Sequence, residues 1–316
     1  MKHDYIWDGV GEPDPEIQRL EQLLREFRFD RPAPTRRPMP RAHWLAAAAA
    51  AILIAAGTWL LSRGAPEGWQ VARAGAKASR LAVGETLETG AEGHATLSVG
   101  NIGTIEVEAN SRLRLERARK TEQRMSLEHG LIHAFILAPP RTFIVDTPSA
   151  VATDLGCYYT LAVDLDGSGL VSVLAGWVSF ERAGRESFIP AGAACRTRPG
   201  HGPGTPYRES APPAFRQALQ DFDFGGGGDA ALAIVLSQAT RDDAFTLWHL
   251  LTRSASAQQP RVYDALAVLV PPPGGVTREG ILHGDRPMLD RWWDQLGLGK
   301  AGWWRHLEGK WPASGR

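Results

Sequence analysis

The two cysteines are the residues of this 316-residue chain whose chemistry is most distinctive. Cys157 and Cys195 stand without a CxxC pair or a Cys/His cluster around them. A structural zinc site needs about four closely spaced ligands, so the sequence excludes one here. In an oxidising compartment two cysteines of one small domain usually pair, and we predict a disulfide between them. It would close a loop of about 38 residues and contribute roughly 3–4 kcal/mol. Two buried free thiols are the alternative.

Histidines and carboxylates offer a second set of chemical groups. His129 and His133 could share a metal ion on a helix, but the residues around them alternate as in a strand. The two side chains would then lie roughly 13 Å apart. The segment Asp164–Gly169 resembles a calcium loop, but Ala175 stands where such a loop needs its glutamate. We therefore predict a hairpin turn at Asp166-Gly167.

The sequence shows no pair of acids beside a nucleophile and no glycine-rich phosphate loop between a strand and a helix. We predict no catalytic, cofactor or metal site, and hence a protein that is not an enzyme. The net charge is +0, which gives no electrostatic reason to expect direct nucleic-acid binding.

An uncharged stretch, Trp44–Leu61, is the strongest architectural signal. As a helix it would be roughly 27 Å long, close to the hydrocarbon core of a bilayer. Arginines precede it at positions 31, 36, 37 and 41, and basic residues favour the cytoplasmic side. We predict a transmembrane helix at 44–62 in the lipid bilayer, with residues 1–43 in the cytoplasm and 63–316 exported. The alternatives are a buried helix, a cleaved signal peptide and a lipoprotein signal.

The cytoplasmic segment contains an amphipathic pattern. Asp14-Pro15 is typical of a helix start, and the apolar residues that follow recur at helical spacing. A helix this short is marginal in water by itself, so its apolar face needs a partner. We predict that this face binds a cytoplasmic protein, and a solvated tail on the inner leaflet is the alternative. The predicted contact residues are Trp7, Ile17, Leu20, Leu24 and Phe27.

Beyond a short linker at 63–74 the pattern changes to period two. Thr104–Glu108, Arg112–Glu116 and Leu170–Leu174 each alternate between apolar and polar residues, and turn residues recur every 8–12 positions. This spacing predicts an all-β sandwich or roll over residues 75–197.

The sequence pattern of the last third of the chain predicts helices. A Gly/Pro-rich linker is expected at 198–228, followed by a small all-α domain at 229–316. Its tryptophans would either fill a small core or grip a protein or glycan partner. Adjacent pairs favour the second interpretation, because neighbours on a helix point about 100° apart. The predicted partner-binding tryptophans are Trp292, Trp293, Trp303 and Trp304.

Several stretches in order across about 120 residues resemble the FecR domain of bacterial periplasmic signal sensors. They include Leu81–Gly90, Ala95–Gly100, Thr104–Leu115, Met125–Leu131, Phe143–Pro148, Ala152–Gly156, Val171–Val178 and Ile189–Gly192. The resemblance implies a single-pass inner-membrane protein whose periplasmic domain receives a signal. Its cytoplasmic part would regulate an extracytoplasmic-function sigma factor as an anti-sigma factor. A periplasmic or outer-membrane protein would supply the input.

The predicted fold is therefore a membrane-anchored chain with one transmembrane helix, a FecR-like β domain and a small helical domain. The alternative function is an envelope scaffold, or a protein- or glycan-binding protein held in the inner membrane, with an inert cytoplasmic tail.

Overall fold

The computed structural model describes residues 14–25, 68–73 and 79–299. The chain divides into two compact units, one on each side of the boundary between residues 63 and 64. Among the described residues no helix has both the length and the apolar character needed to cross a membrane. The predicted transmembrane helix at 44–62 lies outside the described residues, as do Trp7, Phe27, Trp303 and Trp304.

The described part of the first unit is a single helix, α1 (Pro15–Leu24). Asp14 caps it by accepting a hydrogen bond from the backbone N–H of Glu16 at 2.9 Å. Pro15 occupies the first turn, where no hydrogen-bonding N–H is needed. The predicted helix start is confirmed.

The second unit contains a large β region. Its described strands are β1 (Gly68–Arg73), β2 (Ser79–Ala82), β3 (Thr86–Glu88), β4 (Ala95–Val99), β5 (Gly103–Val107), β6 (Arg112–Arg119), β7 (Glu122–Ile136), β8 (Phe143–Asp146), β9 (Val151–Asp154), β10 (Tyr158–Val163), β11 (Gly169–Ala175), β12 (Trp177–Arg182), β13 (Arg185–Pro190), β14 (Ala193–Arg198), β15 (Gly202–Pro203) and β16 (Tyr207–Arg208). Short strands joined by tight turns confirm the prediction of a β domain.

The long strand β7 belongs to two sheets. Its first half pairs with β6 and, in the one parallel pairing described, with β8. Its second half pairs with β5 and β10. One sheet therefore runs β13-β12-β9-β8-β7-β6-β3, and the other contains β5, β10, β11 and β14 around the far end of β7.

The change of sheet occurs at Gly130. Buried positions along β7 are odd-numbered up to Leu127 and even-numbered from Ile132 onward. This shift of phase keeps apolar side chains inside both sheets although the strand turns. Gly130 has φ +111°, and a Cβ there would lie 2.1 Å from the Ser111 Oγ atom. Only glycine fits this bend.

The core lies between the two sheets and is almost wholly aliphatic and aromatic. Leu97, Ile105, Leu127, Ile132 and Phe143 have no exposed surface. At one edge of this core Trp69 donates its indole N–H to Gln123 at 2.7 Å. The paired indole satisfies a polar group that burial would otherwise leave without a partner.

The predicted hairpin at Asp164–Gly169 is confirmed, since it joins the antiparallel strands β10 and β11. Gly167 has φ +81° and its backbone N–H donates to the Asp164 carbonyl oxygen at 2.9 Å. Asp166 accepts from the backbone N–H of Ser168 at 2.8 Å. The backbone of Asp164 and the carboxylate of Asp166 thus hold the turn.

Six further helices follow in the described part of the chain. They are α2 (Pro213–Phe224), α3 (Gly228–Gln238), α4 (Ala244–Leu251), α5 (Gln259–Leu269), α6 (Arg278–Leu282) and α7 (Arg286–Gln295), with a 3₁₀ turn at Arg241–Asp243 before α4. A β region followed by helices is the order that the sequence predicted.

The two predicted linkers contain regular structure. The segment 63–74 includes β1, which pairs with β2 and β4 and buries Trp69. The segment 198–228 includes β15, β16 and all of α2. The Gly and Pro content of 198–228 suggested a flexible linker. In the structure these residue types form turns between short packed elements, as at Gly200 and Gly202, which have positive φ.

The bend of β7 predicts a large difference between two glycine substitutions. Gly130→Ala should lower the free energy of unfolding by about 3 kcal/mol or more, because the new methyl group meets Ser111 in addition to the backbone strain. Gly184→Ala is the control, since Gly184 has φ +79° with open space around it. Its cost should be about 1 kcal/mol. Equal losses in urea unfolding would show that the bend tolerates a side chain.

Candidate functional site

Helix α1 presents an apolar face that the described structure leaves uncovered. Leu20, Leu23 and Leu24 are 57%, 65% and 61% exposed, and none of the ten residues of the helix is buried. Ile17 is half-buried beside them on the same face. Exposed leucines grouped on one face of a helix are typical of a protein-binding surface.

The sequence prediction named Ile17, Leu20 and Leu24 of this face and missed Leu23. Leu23 lies three residues after Leu20 and so adjoins the same stripe. The prediction kept one apolar residue per helical turn. Because Leu23 is also exposed, the apolar face of α1 is wider than that prediction. We call Ile17, Leu20, Leu23 and Leu24 the α1 face.

A second uncovered apolar surface lies on the outside of the β region. Phe135 and Tyr158 are opposite each other on β7 and β10, with ring centroids 6.1 Å apart in an edge-to-face arrangement. Leu137 and Leu174 are also exposed, at the end of β7 and on the next strand, β11. We call these four residues the outer patch. Sequence reasoning missed it because Ala134–Leu137 is apolar at every position and hides which face is outward.

The predicted disulfide is absent from the structure, where Cys157 and Cys195 are both free and buried. Cys195 lies opposite Val171 on β11, while Cys157 stands beside the other end of that strand, next to the Tyr158–Ala175 pair. The offset along the strand is about five residues, or roughly 16 Å. A disulfide needs Cα atoms within about 7 Å of each other.

The two thiols instead have separate hydrogen-bond acceptors. Cys195 donates to the Gly204 carbonyl oxygen at 3.1 Å, and burial raises the pKa of this thiol to about 12. Cys157 donates to Asp154 at 2.6 Å. Burial, and then the Asp154 charge, raise the pKa of Cys157 far above its ordinary value. Burial therefore disfavours formation of the thiolate, which is the nucleophilic form, at both positions.

Asp154 is a buried carboxyl beside Cys157. Its oxygens accept from the backbone N–H of Gly156 at 2.6 Å and from the Cys157 thiol. Burial nevertheless raises the pKa of Asp154 from the ordinary 3.8 to about 7, since desolvation outweighs these hydrogen bonds. The carboxyl group caps the turn between β9 and β10, and the partners given for its oxygens in the described part of the chain, Gly156 and Cys157, are uncharged.

His129 and His133 lie on β7, which confirms the predicted strand. His133 contacts Glu108 at 3.3 Å and His94 contacts the same carboxylate at 3.0 Å. No group of three or more metal-ligating residues occurs within 14–25, 68–73 and 79–299.

The prediction that Trp292 and Trp293 form a binding surface is wrong for this fold, because both have no exposed surface. Trp292 donates its indole N–H to the Val270 carbonyl oxygen at 3.1 Å. Trp293 packs edge-to-face on Phe188 of the sheet and on Trp248 of α4. Both neighbours on the helix can be buried because α7 lies between other helices and the sheet.

These rings join the helices to the β region. Phe188 stacks on Trp177 at 4.9 Å and donates its backbone N–H to the His249 Nε2 atom at 3.1 Å. Thr246 adds a hydrogen bond to the Pro206 carbonyl oxygen at 2.8 Å. The helices are therefore part of the same packed unit as the sheets.

The architecture is thus a bent double β-sheet with attached helices, preceded in the chain by a helix with an uncovered apolar face. Residues 85–179 match the model of the family described as FecR protein. This match runs from the start of β3 into β12 and confirms the resemblance to a FecR domain that the sequence showed.

No curated protein matches the sequence. Two crystal structures described as "a putative anti-sigma factor" from Parabacteroides distasonis are similar, each with a TM-score of 0.36 and 17% identity over 43% of this chain. The alignments cover 65% and 64% of those chains, so this chain spans just under two thirds of their length.

The raised pKa of Asp154 predicts a pH-dependent stability. The folded state holds a proton on Asp154 between about pH 4 and 7, where the unfolded chain has released it. This contribution to stability is therefore complete below pH 4 and is lost as the pH rises through 7. Replacing Asp154 with Asn should remove that loss, so that wild type weakens relative to Asp154→Asn by 1 to about 4 kcal/mol between pH 4 and 8.

Urea unfolding at several pH values measures this difference. Asp164→Asn, at an exposed hairpin turn, is the control and should follow the wild-type curve. A constant difference between Asp154→Asn and wild type across this range would contradict the raised pKa.

Proposed function

We propose that this protein regulates an extracytoplasmic-function sigma factor from the inner membrane. In this proposal the α1 face binds the sigma factor in the cytoplasm, and the FecR-containing unit receives a signal in the periplasm. The observation that carries the proposal is an exposed apolar helix face in a chain whose second unit matches the FecR family model. The resemblance to FecR-domain sensors links such a domain to sigma-factor regulation.

The chemistry of α1 suits a protein partner. Three leucines and an isoleucine share one side, while Gln18, Gln22 and Arg25 lie on the other. Burying one leucine contributes about 1.5–3 kcal/mol, so this small face is sufficient for a specific contact when the partner supplies a groove. Asp14 and Pro15 define the helix start and lower the cost of ordering it.

The location rests on the sequence. The uncharged stretch Trp44–Leu61 would be the anchor, and the arginines before it favour a cytoplasmic N-terminus. With this orientation α1 and the β region are on opposite sides of the membrane. The outer patch would then be available to a periplasmic or outer-membrane protein that delivers the signal.

Binding by the α1 face can be tested with two matched variants of the full chain. The first carries Leu20→Ser, Leu23→Ser and Leu24→Ser, and the second carries Gln18→Ser, Gln22→Ser and Arg25→Ser. Each variant introduces three serines into α1 or, at Arg25, its C-cap, so the two variants change helix propensity to a similar extent. Only the first removes apolar area from the uncovered face.

Affinity capture from solubilised membranes, with the captured proteins identified by mass spectrometry, is the measurement. We expect a sigma factor to be recovered with wild type and with the polar-face variant, and its recovery to fall at least about tenfold with the leucine variant. Equal recovery with all three chains would reject the α1 face as the binding surface. No sigma factor with any chain would favour an envelope scaffold with an inert tail.

The orientation has its own test. Alkaline phosphatase fused after Gly64 should be active, because that enzyme folds only in an oxidising compartment, and fused after Arg41 it should be inactive. Cytoplasmic green fluorescent protein fused at the same positions should give the reverse pattern. Equal phosphatase activity at both positions would contradict a spanning segment between them.

A further inference from the structure

A cavity of about 440 Å³ lies between the β12–β13 hairpin and the helices. Its wall includes Arg185 at the start of β13, Arg253 just after α4 and Arg286 at the start of α7. Three arginines from three separate elements therefore line one space. Glu186 is the single acid among the described residues that line it.

Arg253 is the most deeply placed of the three. It donates to Thr205 Oγ1 at 3.1 Å, to Ser187 Oγ at 2.7 Å and to the Glu186 carbonyl oxygen at 2.5 Å. All these acceptors are neutral. Burial lowers the pKa of Arg253 to about 10, against the raising effect of the nearby Asp223.

Asp223 is shared between two guanidinium groups. It accepts from Arg185 at 2.6 Å and from the backbone N–H and hydroxyl of Thr205 at 2.6 and 3.0 Å. Its two oxygens are thus occupied by other donors, and it neutralises only one of Arg185 and Arg253. Glu186 directs an oxygen to Ser179 at 2.9 Å. With Arg286 included, the charges around the cavity sum to an excess of one positive charge.

One buried donor beside the cavity also lacks an acceptor. The Nε atom of Arg185 is buried and makes no hydrogen bond in the described structure. Arg286 is exposed at the rim. Its backbone belongs to the first turn of α7, a ten-residue helix whose amino end adds partial positive charge. His249 in the wall accepts the Phe188 N–H through Nε2, so this ring is neutral and adds no positive charge to the cavity.

We propose that this cavity binds a small molecule carrying a phosphate group. A tetrahedral phosphate can accept hydrogen bonds from guanidinium groups in several directions, whereas a planar carboxylate typically pairs with one. The volume is within the range of small-molecule sites and leaves room for a further moiety beside Trp248. The site is independent of α1.

A structural role explains only part of this cluster. Arg253 and Arg185 connect the hairpin to the helices through Ser187 and Asp223. That role requires neither the unfilled Arg185 Nε nor Arg286 at the rim of the same cavity. Arg286 is therefore the residue whose substitution separates ligand binding from folding.

The test is calorimetric titration of the full chain, purified in mild detergent, with inorganic phosphate at constant ionic strength maintained with chloride. Wild type should bind about one phosphate per chain, with phosphate raising the midpoint of thermal unfolding. Arg286→Gln should weaken phosphate binding about tenfold and leave the midpoint without phosphate unchanged. Arg291→Gln, an exposed arginine five residues further along α7, is the matched control and should bind as wild type.

Failure of wild type to bind phosphate saturably would overturn the proposal, as would equal weakening in Arg286→Gln and Arg291→Gln, which would show only diffuse attraction. Two further titrations distinguish the sources of the phosphate. Tighter binding of glycerol 3-phosphate assigns the site to soluble phosphate monoesters. Tighter binding of glycerophosphoglycerol, the soluble headgroup of an anionic phospholipid, assigns it to lipid headgroups.

Discussion

The passage of β7 from one sheet to the other is the constraint on which the rest of the second unit depends. One strand contributes its first half to β6 and β8 and its second half to β5 and β10, so it fixes the relative position of both sheets. The bend is possible because Gly130 adopts a backbone conformation and an approach to Ser111 that exclude a side chain. The phase of burial then shifts by one residue, and the inner faces of both sheets remain apolar.

Charged residues lie at the contact between the helices and the β region. The sheets bury aliphatic residues against each other, whereas the contact with the helices combines aromatic rings with Arg185, Asp223 and Arg253. Buried ion pairs contribute little net stability but impose geometry, because a displaced partner leaves an uncompensated charge. Moving the helices away from the hairpin would therefore leave such a charge without its partner.

Several features could be predicted from the sequence because they depend on local spacing. Asp14-Pro15 marks a helix start, and strict alternation of apolar and polar residues marks strands. The sequence therefore predicted α1 and most of the β region. The cysteine pairing and the exposure of Trp292 and Trp293 depend on which strands and helices become neighbours. Counting two cysteines could not reveal that β11 keeps them apart, and adjacency of two tryptophans could not reveal that α7 is enclosed. Leu23 could also have been predicted from the sequence, if the apolar stripe had been taken as wider than one residue per turn.

The residues matched by the FecR family model end at 179, inside β12, but the physical unit continues beyond them. Phe188 of β13 gives its backbone N–H to His249 and its ring to Trp293, more than sixty positions later. A domain boundary placed where the family match ends would therefore separate strands of the sheet from the aromatic side chains that pack on them. In evolutionary terms the sheet and helices of this chain are not interchangeable modules. Recombination that replaced one without the other would have to rebuild their common aromatic interior at the same time.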